Sequence, residues 1–81
     1  MSIDTLRTSL DEIDLQINKL LTKRFLICRL IALEKEQKNL PKLDEIEKHK
    51  RKQIYSKTLG EYGEAIYETI HEQSLKIQNK T

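Results

Sequence analysis

Between Ile3 and Lys38 the chain carries neither glycine nor proline. Within that run Ile3, Leu6, Leu10, Ile13, Ile17 and Leu20 recur at steps of three and four residues. The same register continues through Arg24, Ile27, Ile31 and Glu34. This is the period of one helix face, not the alternation of a strand. Ser2 is placed to cap the helix and Asp4 to face its positive end. Asn39-Leu40-Pro41 should end it, because a proline disfavours helical backbone at the residue before it. At 1.5 Å per residue the helix should be roughly 54 Å long. A compact chain of 81 residues has a radius of gyration of only roughly 12 Å. The remaining residues cannot cover such a rod, so its apolar seam must meet another chain. An interlocked homodimer is the simplest solution, since closed twofold symmetry is the commonest arrangement.

The rest of the sequence also reads as helix. Two glycines, one proline and no tryptophan argue against a barrel or sandwich. A second helix is expected from Asp44 to about Lys57, with Ile46 and Ile54 as its apolar anchors. Thr58 to Gly63 reads as a connection punctuated by Gly60 and Gly63. A third helix follows to about Asn79, striped by Ile66, Ile70, Ser74 and Gln78 and flanked by Tyr67 and Ile77. The expectation is therefore an all-α, three-helix subunit formed by a single domain over residues 1–81.

Several functions are disfavoured by composition. Fifteen Lys and Arg against thirteen Asp and Glu leave a net charge of only +2, without the basic excess of a dedicated nucleic-acid binder. The run Lys48-His49-Lys50-Arg51-Lys52 adjoins Glu45 and Glu47 and lacks an aromatic stacking surface, so it reads as a solvated helix face. No stretch approaches the roughly 20 apolar residues of a membrane span. A cytoplasmic location is expected, without membrane or nucleic-acid partners. Cys28 stands alone, which excludes an internal disulfide, and it reads as a small buried hydrophobe. His49 reads as a surface or packing residue and His71 as exposed. Tyr55, Tyr62 and Tyr67 read as packing residues with polar tips.

Polar residues interrupt both apolar stripes. Arg24 occupies the seam of the first helix, where a guanidinium needs either a carboxylate such as Glu34 or a cavity to face. Lys35 projects from nearly the same face about 16 Å further on, while Arg7 is too distant to share a site with Arg24 within one chain. In an interlocked dimer it could reach the partner's site. Ser74 and Gln78 continue the third helix's stripe, either as a helix end emerging into water or as cavity lining. Three cations with a Ser/Gln pair describe a cavity for a small dianion.

These residues form a recognisable order. Leu6-Arg7, Ile13-Asp14, Leu20-Leu21-x-x-Arg24, Ile31-x-x-x-Lys35, Pro41-x-x-Asp44 and Ser74-x-x-x-Gln78 resemble the all-helical class of chorismate mutases over nearly the whole chain. The resemblance implies an intertwined homodimer with two equivalent sites shared between subunits. It implies conversion of chorismate to prephenate, a Claisen rearrangement on the shikimate route to Phe and Tyr, with no cofactor or metal. Arg24 and Arg7 of the partner subunit would clamp the two substrate carboxylates. Lys35 and Gln78 would donate to the ether oxygen, Ser74 would support carboxylate binding, and Asp44 would help place the substrate hydroxyl through its backbone. These residue types suit a pericyclic step, because bidentate clamps hold a flexible dianion in its reactive conformation. An ammonium beside the ether oxygen favours the polarised transition state over the ground state.

The chain departs from the family at one point. Members usually carry Arg and Glu three and four residues after this Asp, where Glu47 and Lys48 stand here. The usual Glu accepts the substrate hydroxyl's hydrogen bond, and Lys48 has no acceptor. Substrate affinity and rate should feel the change unless Glu47 or Glu45 takes over. Two other readings use the same scaffold: an isochorismate pyruvate-lyase-like enzyme, and a catalytically impaired helical dimerisation module.

Overall fold

A computed structural model of the chain describes residues 1–41 and 44–79. It contains three helices: α1 (Ile3–Gln37), α2 (Glu45–Leu59) and α3 (Glu61–Asn79). Among the described residues there is no strand. The all-α expectation holds.

Helix α1 begins where Ser2 accepts a hydrogen bond from the Thr5 amide at 3.1 Å, with Asp4 in the first turn. Its end is set before Pro41 acts. Asn39 turns into the left-handed region at φ 55°, and the Leu40 amide donates back to the Lys35 carbonyl at 2.8 Å. Asparagine tolerates that conformation, so the helix closes with a left-handed cap.

Helix α2 starts at Asp44, whose carboxylate accepts from the Ile46 and Glu47 amides, both at 3.1 Å. None of its residues is buried, and Ile46 is 82% exposed. Ile46 and Ile54 are thus not anchors within the chain. Helix α2 is instead held by α3. Tyr55 tilts against Tyr67 with ring centroids 5.1 Å apart, and Lys48 and Lys52 both reach Glu68, at 3.9 and 3.1 Å. The hydrogen bond between Lys52 and Glu68 raises the lysine's pKa and lowers the carboxylate's. Both groups are well solvated, so the pair orients α2 more than it stabilises it.

The expected connection from Thr58 to Gly63 contracts to one residue. Gly60 alone leaves the helical path, at φ 61° and ψ −136°, and its amide donates to the Ser56 carbonyl. Few side chains tolerate that backbone. Gly63 lies inside α3, where a Cβ would run into the Tyr55 carbonyl and the Leu59 side chain. This close approach folds α3 back along α2.

Helix α3 also packs against α1, whereas α1 and α2 make no packing contact among the described residues. The result is a single layer of 54 × 25 × 14 Å, about one helix thick. Its radius of gyration of 15.7 Å exceeds the roughly 12 Å of a compact chain this long. Cys28, Ala32 and Tyr67 are the buried apolar residues among those described. The seam of α1 lies open, with Leu10 57% and Leu20 67% exposed.

Replacing Gly63 by Ala should force α3 away from the Tyr55 carbonyl and lower stability by about 1–3 kcal/mol. Urea unfolding followed by circular dichroism measures this. An unchanged midpoint would contradict the close approach.

Candidate functional site

The second half of α1, the first half of α2 and the second half of α3 enclose a cavity of about 270 Å³. That is close to the lower end of the ~300–1,000 Å³ range of small-ligand sites. Arg24, Lys35, Asp44, Ser74 and Gln78, all singled out from the sequence, line it. Arg7 does not. It is exposed on the first half of α1, about 26 Å along the helix axis from Arg24.

The polar end of the α3 stripe is its buried end. Ser74 is 4% exposed and Gln78 9%, while apolar Ile66 is 47% exposed. The helix end therefore does not emerge into water at these residues. Ser74 Oγ donates to the Ile70 carbonyl at 2.7 Å, the usual back-bond of a mid-helix serine. This leaves its lone pairs facing α1, where Arg24 Nη1 donates to them at 2.8 Å.

Arg24 has no tie to Glu34, which pairs with Lys38 at 3.1 Å. No carboxylate among the described residues lies within ion-pair distance of Arg24. Its near partners are neutral: Ser74, and Cys28 Sγ at 3.7 Å. A guanidinium has five N–H donors, so most remain for a ligand. The cavity wall is cationic as a whole. Among the described residues it carries Arg24, Lys35, Lys48 and Arg51 against Asp44 and Glu47, an excess of two positive charges.

His71 also lines the cavity and is half-buried, contrary to its expected exposure. Its ring stacks on Tyr67 with centroids 5.7 Å apart, and Nδ1 sits 3.5 Å from the Tyr67 hydroxyl. Nε2 is buried with no hydrogen-bond partner among the described residues. Burial, then the charge of Lys48, lowers the imidazole's pKa, so it is neutral at pH 7. Burial raises the Tyr67 phenol's pKa, which keeps it protonated. These two residues share one face with Gly63, Ser74 and Gln78, at steps of three and four. Reading the third helix from Gly63 rather than Ile66 would have found them.

The basic run on α2 is largely answered within the chain. Lys48 and Lys52 reach Glu68, while Lys50 and Arg51 lie 4.0 and 3.6 Å from Glu47. That arrangement favours the solvated-face reading. Arg51, given no site role from the sequence, lines the cavity beside Glu47.

A family model described as chorismate mutase type II matches residues 6–79. The chain belongs to this family. No curated protein and no solved structure matches it. Among the described residues no helix is long and apolar enough to cross a membrane.

Because folding depresses the His71 pKa, the unfolded chain takes up this proton first as pH falls. The stability linked to a neutral His71 is complete above about pH 6.5 and is lost progressively below it. Thermal midpoints at about pH 7.5 and about pH 5.5 should differ more for the parent than for His71→Gln. An equal difference would contradict this placement of His71.

Proposed function

We propose that this chain is a chorismate mutase that works as an interlocked homodimer. The observation that carries the reading is the convergence of Arg24, Lys35, Asp44, Ser74 and Gln78, from three helices, on one cavity. The excess of two positive charges in its wall suits a dianion. The open seam of α1 supports the dimer, because the three apolar side chains buried among the described residues cannot offset the ordering of three helices. The span between Arg7 and Arg24 supports a shared site, since Arg7 can contribute only from another subunit.

In this reading Arg24 and Arg7 of the partner subunit hold the two substrate carboxylates. Ser74 fixes the Arg24 guanidinium before substrate arrives, so little reorganisation remains at the moment of reaction. Lys35, in its ammonium form, and Gln78 donate to the ether oxygen. Negative charge grows there as the C–O bond breaks and the new C–C bond forms. Asp44 presents the start of α2 to the ring. The rearrangement transfers no proton and needs no nucleophile, so binding geometry and electrostatics supply the acceleration.

The direct test is loss of chorismate absorbance at neutral pH with prephenate identified as product, with isochorismate assayed alongside. Lys35→Ala should lower kcat/KM by at least about 10²-fold. Helicity and oligomeric state should stay unchanged. A parent that leaves chorismate unaltered would contradict the mutase reading and favour a binding module.

A further inference from the structure

Two charged residues of the cavity wall have no role so far: Glu47 and Arg51. They stand one turn apart on the same side of α2, with Arg51 Nε 3.6 Å from Glu47 Oε2. Both are about half exposed, which puts them towards the cavity mouth. Lys48, turned about 100° from Glu47 around the axis, reaches across to Glu68 on α3.

The donors described above match the anionic parts of the substrate. Arg24 and Ser74 suit carboxylates, and Lys35 and Gln78 suit an ether oxygen. None of them suits the ring hydroxyl, which must donate its proton to something. Ser74 Oγ already accepts from Arg24, and the other side-chain acceptors of the described wall include Asp44, Glu47, His71 and Gln78. Asp44 is held at the helix start, because its Oδ1 takes two backbone amides and it cannot turn towards a ligand without uncapping a helix that has no buried residue of its own. His71 Nε2 and Gln78 Oε1 are both covered by protein. Glu47 remains. Glu45, the other carboxylate at the start of α2, does not line the cavity.

We infer that Glu47 accepts the hydrogen bond of the substrate's ring hydroxyl and that Arg51 is the positioning residue that holds it there. The inference rests on the mutase reading and names the pair that selects a hydroxylated substrate. Arg51 has a second effect. A lone carboxylate beside a dianion repels it. Paired with Arg51, Glu47 adds no net charge, and the excess of two positive charges stays intact for the carboxylates. Glu47 thus recovers, one residue earlier on the helix, an acceptor that Lys48 cannot supply.

The test compares chorismate with an analogue that lacks the ring hydroxyl. On chorismate, Glu47→Gln should lower kcat/KM about 10- to 100-fold, the effect of losing a hydrogen bond to a charged group. The loss should fall mainly in KM. On the analogue the parent should already be slower, and Glu47→Gln should slow it no further. Arg51→Ala should reproduce part of the chorismate effect, Arg51→Lys should restore it, and Glu47→Ala with Arg51→Ala should lose no more than Glu47→Ala alone. Full activity of Glu47→Gln on chorismate, or equal losses on both substrates, would overturn the inference. A parent without turnover would overturn the mutase reading instead. The pair is then read by calorimetry with a bicyclic dicarboxylate analogue of the transition state, with and without its hydroxyl. The same difference between parent and Glu47→Gln supports the inference, and equal binding or no binding overturns it.

Discussion

The length of α1 governs the rest of the molecule. A helix of 35 residues in a chain of this size outruns everything that could pack on it. Helix α3 covers part of its second half, and the residues of its first half are exposed. The molecule is consequently a layer one helix thick rather than a globule. Such a layer has very little interior, and its apolar surface is concentrated along one seam. In the proposed dimer that seam is buried between subunits, and Arg7 is carried to the far end of a neighbouring site. Stability and catalysis then have one structural cause.

The second constraint is the half-buried position of Arg24. A guanidinium inside a protein is usually answered by a carboxylate, because desolvation is otherwise expensive. Here its contacts are a serine hydroxyl and a thiol. A neutral hydroxyl fixes the group without cancelling its charge. In the proposed site, a cation left uncompensated by the protein is what attracts the anionic substrate. A structural ion pair at the same position would have produced a more stable and functionally silent wall. Ser74 can serve in this way because its own hydrogen is taken by the Ile70 carbonyl.

Much of this was legible in the residues. The seam of α1 set the helix length, and the longest dimension of 54 Å equals the expected rod. Polar residues at apolar positions, Arg24, Ser74 and Gln78, pointed to a cavity, and the structure brings them to one wall. The weaker readings share a cause. Helix α2 has no apolar period, so its orientation is set by partners on α3 that only folding reveals, Tyr67 and Glu68. Ile46 and Ile54 looked like anchors because they were the nearest apolar candidates. The hinge at Gly60 was hidden because glycine signals a loop and a close helix contact alike, and Gly63 serves the second purpose. Arg51 entered the site because helix geometry places it one turn beyond Glu47, a relation that a motif read at fixed spacing does not include.

In the proposed dimer each site draws Arg24 and Arg7 from different chains, and mixing two inactive variants tests this. Arg7→Ala and Arg24→Ala, each inactive alone, are denatured together and refolded at equal amounts. In a mixed dimer one site regains both arginines and the other has neither, so random pairing should restore about a quarter of the parent's activity. A mixture that stays as inactive as its components would contradict the shared site.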